Sequence, residues 1–288
     1  MIYSVIAVAL AVAGGGDRNR ALEAAIEAVV AKSGAESVSV VLRDVATGRE
    51  ALVRPDVSYH PASTFKICVM MEVYHQAGLK RLRLDEALPV RNSFKSIVDG
   101  SAYSLAAADD ADADLYKRIG QAVAIRDLVE RMITRSSNLA TNLLIERVGA
   151  ESVTTYMKTL GAEGLVVRRG VEDGKAYERG LNNAATPAGL ARILTLLAER
   201  RVKSAGEMVG ILKRQQHNAG IPAGLPAGIK VAHKTGWIDR IYHDAAIVYP
   251  AGRKPYVLVV MTRGLDESRD APRLVSDISR LVYDRTIR

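Results

Sequence analysis

The sequence predicts an α+β fold of three layers, α/β/α, in which one antiparallel sheet is built from both ends of the chain. Strand patterns occur near the two ends, whereas residues 63–214 have the patterns of helices and loops. Strands at both termini with helices between them imply one sheet that carries the terminal helices, with an all-helical lobe inserted. We therefore predict a discontinuous α/β lobe over residues 17–60 and 215–288, and an all-helical lobe over residues 61–214.

The composition is that of an ordinary globular protein. The chain has 288 residues, of which 48% are hydrophobic and 25% charged, so it is long enough to bury a sizeable core. Its net charge of +8 comes from scattered Lys and Arg, and no nucleic-acid-reading motif accompanies them. We expect a monomer that acts on a small molecule and has no nucleic-acid partner; a basic surface suits an anionic substrate.

The first 16 residues have the pattern of a signal peptide. Met1–Ala13 is a short apolar run that is too short to span a bilayer, and it ends in small residues at Ala11–Ala13 before Gly14–Gly16. The pattern predicts export to the periplasm or the medium, with no membrane span in the mature protein. The front of the run lacks the usual basic residues, so a shortened leader is the alternative.

The N-terminal part of the α/β lobe begins with a helix. Apolar residues recur at helical spacing over Arg20–Lys32, with charged residues between them. Ser37–Leu42 and Glu50–Val53 then flank Thr47–Gly48, which is the pattern of two antiparallel strands joined by a short turn.

The C-terminal part repeats this arrangement in reverse order. Val231–Trp237 is predicted as a strand, and Ala245–Tyr249 and Tyr256–Met261 form a hairpin after it. Pro272–Arg285 has one apolar stripe at helical spacing and is predicted as the last helix.

The stretch from His60 to Met71 places a serine, Ser63, at the mouth of a predicted helix. Pro61 suits a first helical turn because its missing N–H is no loss there, and the following residues are apolar nearly all round, as in a buried helix. Lys66 follows Ser63 by three residues, so its ammonium and the serine hydroxyl share one helical face. An amine in a dry pocket has a lowered pKa and can accept the serine proton.

The alternative for this pair is a serine cap followed by a solvated lysine. Lys66 lies within an apolar run, however, and an unpaired buried lysine costs several kcal/mol unless something uses or neutralises it. Cys68 in the same helix is predicted to be a small core residue rather than a reactive thiol.

Two further motifs follow. Ser136–Asn138 forms a polar corner between a helix that ends near Thr134 and another that begins after it, where a plain helix cap is the alternative. Lys234–Gly236 lies on the predicted strand, where it presents an ammonium and a hydroxyl side by side, and its glycine lets a substrate backbone approach closely.

Ser63–Lys66, Ser136–Asn138 and Lys234–Gly236, in this order and with a helical insertion, resemble the signature of the class A β-lactamase family and its penicillin-binding relatives. The resemblance covers nearly all of the chain after the leader. It implies a serine hydrolase without a cofactor that opens the ring of a β-lactam through an acyl-enzyme.

The resemblance also implies roles for the acylation residues. Ser63 would be the nucleophile, Lys66 its proton acceptor, and Ser136 the relay of a proton to the departing lactam nitrogen. Asn138 would hold Lys66 and the substrate's side-chain amide.

Substrate binding is implied for the third motif. Lys234 and Thr235 would bind the substrate carboxylate, beside Gly236. The backbone N–H groups of Ser63 and Trp237 would form the oxyanion hole.

Deacylation in this family needs a loop glutamate that acts as general base on a water. The number of residues after Leu160–Gly161 favours Glu172. Glu178 instead fits the family's sequence motif, Glu-x-x-Leu-Asn, through Leu181 and Asn182. We take Glu172 as the first choice and Glu178 as the second, with Asn182 as the holder of the water in either case. The remaining alternative is that both glutamates are solvated loop charges.

Several departures from the family pattern concern the substrate range. Ser137 stands where the second motif usually has Asp, and Trp237 replaces a small residue. The family's arginine on the following strand is not evident, and His243 stands roughly there. This histidine is either a substitute for carboxylate binding or a core residue paired with Asp244, and we expect the latter.

No metal site is predicted. The five histidines have no close ligand spacing. Asp109–Asp114 resembles half of a calcium loop without its glycine and distal glutamate, and we expect a solvated acidic loop there. Two other functions stay open: a penicillin-binding carboxypeptidase or esterase of the same fold, and a binding protein that acylates slowly as a penicillin sensor.

Overall fold

The main sheet is built from both ends of the chain. The computed structural model describes residues 17–287, so the predicted signal peptide lies outside the described residues. Five antiparallel strands follow the order β2-β1-β9-β8-β7, and β1 from the N-terminal end lies against β9 from the C-terminal end. The strands are β1 (Ser37–Asp44), β2 (Glu50–Val53), β7 (Lys230–Ile238), β8 (Ile241–Tyr249) and β9 (Tyr256–Arg263).

Most of the other elements are helices. They are α1 (Arg20–Val30), α2 (Lys66–Gly78), α3 (Ala113–Tyr116), α4 (Ile125–Thr134), α5 (Asn138–Val148), α6 (Ala150–Thr159), α7 (Gly174–Glu178), α8 (Pro187–Ala198), α9 (Ala205–Leu212) and α10 (Asp270–Ile287), with a 3₁₀ turn at Ile221–Gly224. Two small antiparallel pairs join β3 (Ala87–Pro89) to β6 (Ala122–Ala124) and β4 (Phe94–Lys95) to β5 (Ala102–Tyr103).

Both faces of the sheet are covered. Alternate residues of a strand point to opposite faces, so Val40 packs with α1 and α10 while Val41 packs with the helices on the other side. In β9, Leu258 and Val259 divide in the same way. The predicted α+β fold with three layers and a sheet from both chain ends is therefore confirmed.

The helix α2, which begins three residues after Ser63, is the centre of the core on the face of the sheet that Val41 contacts. Ten of its residues are buried, and it packs against α4, α5 and α6. The helix α8 also belongs to the range 61–214, yet it packs on β1, β8 and β9 and forms part of the sheet's cover. The lobe boundaries at residues 60 and 214 stay a prediction.

The expectation of a solvated loop at Asp109–Asp114 holds for Asp109 and Asp114, which are exposed, but is wrong for the two aspartates between them. The side chains of Asp110 and Asp112 are buried, with 6% and 3% exposure. Asp112 accepts hydrogen bonds from Arg131 at 2.8 and 2.9 Å and from Arg135 at 3.1 Å. The two carboxylates can be buried because arginine side chains and backbone N–H groups of other elements donate hydrogen bonds to them. A sequence pattern does not reveal such partners.

Candidate active site

The predicted nucleophile lies in a tight turn ahead of α2. Ser63 is half-buried, and its carbonyl accepts the Lys66 N–H at 3.2 Å, so α2 begins three residues after it. Ala62, just before it, has a left-handed backbone with φ of 45°, and its N–H bonds to Nδ1 of His60 at 3.2 Å. Such backbone conformations persist where the surrounding structure fixes them, often at functional sites.

Lys66 is fully buried and points to the second motif. Its Nζ donates to the carbonyl oxygen of Ser136 at 2.6 Å, to the Ser136 hydroxyl at 3.3 Å and to Oδ1 of Asn138 at 2.8 Å. Burial lowers the pKa of the Lys66 ammonium to about 7, although the charges of Asp110 and Glu172 act in the opposite direction. A lysine with this pKa can exchange protons near neutral pH.

The second motif begins a helix, as predicted. Ser137 caps α5, where its hydroxyl accepts the Ala140 N–H at 3.3 Å. Ser136, just before the cap, has a left-handed backbone with φ of 62°, and its side chain is buried. Its hydroxyl lies between two ammonium groups, at 3.3 Å from Nζ of Lys66 and 3.1 Å from Nζ of Lys234.

The third motif lies on the edge strand β7, directly against the nucleophile turn. A Cβ on Gly236 would lie 2.5 Å from the amide nitrogen of Ser63 and 2.9 Å from that of Thr64, so only glycine allows this approach. Lys234 is fully buried, and burial together with the Lys66 charge lowers its pKa. The buried Thr235 hydroxyl has no hydrogen-bond partner within residues 17–287. A buried polar group of this kind is available to a ligand.

Glu172, the first-choice deacylation base, reaches the same network. Its Oε1 accepts a hydrogen bond from Nδ2 of Asn138 at 3.1 Å, so Asn138 joins it to Lys66. Loss of solvation raises the pKa of the Glu172 carboxyl, and the charges of Asp109 and Asp110 act in the same direction. Glu172 also has a left-handed backbone, with φ of 63°.

Buried amide and carboxylate side chains hold the loop on both sides of Glu172. Asn142 donates to the Val171 carbonyl at 3.0 Å and accepts the Val171 N–H at 2.6 Å. Asp173 accepts from the Ser96 hydroxyl at 2.8 Å and from the Ile97 N–H at 2.9 Å. Neither residue was predicted from the sequence. The available signal for Asn142 was its position four residues after Asn138, on the same face of α5.

The second-choice glutamate and the predicted water holder lie elsewhere. Glu178 ends the short helix α7 and is exposed, with no hydrogen bond or ion pair found within residues 17–287. Asn182 accepts a hydrogen bond from Nη2 of Arg169 at 2.7 Å. Among the described residues no hydrogen bond joins Asn182 to Glu172, and its role as a water holder stays a prediction.

His243 is a core residue, but the predicted pairing with Asp244 is wrong. His243 is fully buried; its Nδ1 accepts the Thr262 N–H at 3.1 Å, and its Nε2 contacts the His60 carbonyl at 3.0 Å. Asp244 instead meets Nδ1 of His233 at 2.9 Å. Neighbouring residues of a strand point to opposite faces, which separates the side chains of 243 and 244.

An aromatic pair lies beside the third motif. Trp237, directly after Lys234–Gly236, is 38% exposed, and the half-buried His217 ring meets it edge-on at 4.9 Å between ring centroids. Burial and the nearby charge of Lys234 lower the pKa of His217. Sequence analysis did not single out His217, because the segment that carries it has no motif.

These residues together define the class of enzyme. A serine in a strained turn lies three residues before a buried lysine with a lowered pKa, which contacts a second serine hydroxyl and is joined to a carboxylate by one asparagine. Within residues 17–287 no hydrogen bond joins the Ser63 hydroxyl to Lys66. This set of functional groups is suited to acyl transfer through a covalent serine intermediate. Within residues 17–287 no group of three or more His, Cys, Asp or Glu could hold a metal ion.

Comparisons with known proteins agree with this class. A family model described as the β-lactamase enzyme family matches residues 21–286, so the chain belongs to that family. A β-lactamase of Bacteroides uniformis is 26% identical over 238 residues, which are 77% of this chain and 77% of that protein. β-Lactamase AST-1 of Nocardia asteroides is 27% identical over 257 residues, covering 84% of this chain and 76% of that one.

Solved structures share the fold. PBP-A superposes with a TM-score of 0.81 at 24% identity, covering 94% of this chain and 98% of that one. A β-lactamase from Sphaerobacter thermophilus gives a TM-score of 0.78 at 26% identity, covering 92% and 96%. The resemblance to the class A β-lactamases and their penicillin-binding relatives is therefore confirmed.

Proposed function

We propose that this protein is a serine β-lactamase that opens the β-lactam ring on Ser63 and then hydrolyses the acyl-enzyme with Glu172 as general base. The observation that carries the proposal is that the Asn138 side chain makes hydrogen bonds to both Lys66 and Glu172. Its carbonyl oxygen accepts from Lys66 at 2.8 Å, and its amide donates to Glu172 at 3.1 Å. One side chain thereby connects the residues of both half-reactions.

Acylation begins with proton transfer from the serine. Lys66 in its neutral form takes the Ser63 proton, directly or through a water, as the hydroxyl oxygen attacks the lactam carbonyl. The pKa of about 7 for Lys66 leaves a substantial neutral fraction at physiological pH. The N–H groups of Ser63 and Trp237 stabilise the tetrahedral oxyanion, where loss of one donor typically costs about 100- to 1,000-fold in rate.

Ring opening then needs a proton on the departing nitrogen. The Ser136 hydroxyl lies within 3.3 Å of Lys66 and 3.1 Å of Lys234, so it can pass a proton to the nitrogen and regain one from an ammonium. Lys234 also supplies positive charge for the substrate carboxylate, and the unpartnered hydroxyl of Thr235 supplies a donor beside it.

Deacylation is the step that distinguishes a β-lactamase from a penicillin-binding protein. Glu172 in its ionised form takes a proton from a water, which attacks the acyl carbonyl and releases Ser63. Both glutamates are exposed, but the bond to Asn138 and the strained backbone favour Glu172 over Glu178, which has no hydrogen bond or ion pair within residues 17–287.

We further propose that the protein is exported, acts as a monomer and binds no nucleic acid. The support for export is the leader pattern of Met1–Ala13, a short apolar run that ends in small residues. Across residues 17–287 the structure contains no helix with the length and apolar character needed to cross a membrane.

The test follows the mass of the protein over time after mixing with a penicillin. The wild type is expected to pass through an adduct on Ser63 and return to the free mass. In Glu172→Gln the adduct is expected to persist, because loss of a general base slows this step by about 100- to 10,000-fold. Glu178→Gln is the matched control on the same loop and is expected to behave as the wild type.

Each other outcome has a defined meaning. Persistence of the adduct in Glu178→Gln alone would transfer the base role to that residue. A stable adduct on the wild type would replace hydrolysis with the penicillin-binding or sensor function. Absence of any adduct on Ser63 would overturn the proposed function.

A further inference from the structure

Asp110 lies in the loop between β5 and α3, outside every motif, yet its carboxylate is buried at the start of α5. Oδ2 accepts the Asn138 N–H at 3.0 Å, the Leu139 N–H at 2.8 Å and the Tyr116 hydroxyl at 3.1 Å. Oδ1 accepts the Asp112 N–H at 3.0 Å. The carboxylate is thus fixed by donors on both oxygens.

The bonds to α5 satisfy groups that the helix itself cannot. The first N–H groups of an α-helix have no partner within the helix, and a negative charge is favourable at that end. Asp110 accepts from Asn138 and Leu139, and the Ser137 hydroxyl accepts from Ala140. Three successive N–H groups are therefore paired at the point where Ser136 and Asn138 contact Lys66.

Asp110 also contributes to the charge balance at Lys66. The ammonium of Lys66 faces the positive charge of Lys234 on β7, and burial together with the same two lysines lowers the pKa of the His217 imidazole in the segment before β7. Against these stand two carboxylates, Asp110 and Glu172, of which Asp110 has the larger effect on the Lys66 pKa. Two buried ammonium groups close to one serine hydroxyl need such compensation.

We propose that Asp110 is a positioning residue for acylation: its buried carboxylate fixes the start of α5, and with it Ser136 and Asn138, and supplies the negative charge that offsets the two lysines. This rests on the proposed function, since it concerns the acylation of Ser63. Asp110 touches no reacting atom, and it acts through Lys66, Ser136 and Asn138.

The experiment compares acylation rates of Asp110→Asn and the wild type with a penicillin across the pH range in which both are folded. Asparagine keeps an acceptor oxygen for the α5 amides but removes the charge. Without that charge protonated Lys66 is less stable, so the neutral lysine persists to lower pH. The acidic limb of the acylation rate is expected to move to lower pH by on the order of one unit.

Two further variants separate charge from geometry. Asp114→Asn is the matched control, because Asp114 is an exposed carboxylate of the same acidic run and pairs with Lys117 at 2.8 Å. It is expected to leave the profile unchanged. Asp110→Glu keeps the charge but displaces the accepting oxygens, so the limb should stay while the plateau rate falls by about 10- to 100-fold.

The outcomes are distinct from those of the proposed function. Lack of an adduct on wild-type Ser63 would overturn the function itself. A wild type that acylates, with an Asp110→Asn limb at the wild-type pH, would overturn only the role of Asp110. If neither Asp110 variant folds, Tyr116→Phe is the substitute, because it removes one hydrogen-bond donor from the Asp110 carboxylate and leaves its negative charge less screened. The acidic limb of its acylation rate should move to higher pH, and an unchanged limb would overturn the proposal.

Discussion

The two walls of the active site are built in different ways. The wall to which we assign acylation comes from regular elements: Lys66 is the first residue of α2, Asn138 the first of α5, and Lys234 lies within β7. The wall to which we assign deacylation is a loop that contains the five-residue helix α7, and Glu172 lies on this loop exposed to solvent.

The forces that hold the two walls also differ. Lys66 and Lys234 are fully buried among packed elements, so their positions depend on the core of the protein. Glu172 depends on a few polar contacts, chiefly those of Asn142 and Asp173 with its neighbourhood. We therefore expect the acylation rate to be insensitive to substitutions in the loop, whereas the deacylation rate should fall when the polar contacts of the loop are removed.

The largest effect is expected from Lys66→Met, which removes the proton acceptor of the acylation wall. The acylation rate should fall by about 100- to 10,000-fold, the usual range for a general base. Because the buried ammonium costs desolvation free energy, the melting temperature should change little. Stopped-flow acylation and thermal unfolding measure the two quantities, and a variant that acylates at the wild-type rate would contradict the assigned role.

A smaller effect is expected from Gly236→Ala, which crowds the contact between β7 and the nucleophile turn. The new Cβ would meet the Ser63 nitrogen at 2.5 Å, and such overpacking typically costs about 1–3 kcal/mol. Acylation and the free energy of unfolding should both fall. Gly206→Ala in α9 is the control, because no atom lies within 4 Å of its Cβ, and it should stabilise the protein by roughly 0.5–1 kcal/mol.

The smallest effect concerns the pH dependence of deacylation. Glu172 must be ionised to act as a base, and its pKa is raised above the 4.5 of an ordinary glutamate, chiefly by loss of solvation. The deacylation rate should therefore fall with decreasing pH through a midpoint above 4.5. Asp109→Asn removes a charge that raises this pKa and should move the midpoint slightly lower. Single-turnover decay of the acyl-enzyme measures it; an opposite shift would contradict the prediction.

The sequence predicted the acylation wall because its residues occur as short motifs on regular elements. Lys66 and Asn138, for example, are the first residues of α2 and α5, so the predicted helix starts carry their positions. The β hairpins were predicted in the same way, from alternating apolar residues around turns.

The loop could not be predicted to the same degree. The distance from Leu160–Gly161 favoured Glu172, whereas the Glu-x-x-Leu-Asn pattern favoured Glu178. The two criteria disagree because an irregular backbone has no period that fixes where a side chain points. Asp110 was assigned to solvent and His243 to Asp244 for a related reason: their partners, the N–H groups of α5 and Thr262, are distant in sequence. Tertiary contacts of this kind leave no local pattern.

The pairing of β1 with β9 has a consequence for how the protein is made. The centre of the sheet can form only when Ser37–Asp44 pairs with Tyr256–Arg263. Contacts between segments so distant along the chain form slowly, and during synthesis the early strand emerges long before its partner. The sheet that carries the third motif can thus be completed only after β9 has been synthesised, and a chain interrupted before β9 would leave Ser63 without its site.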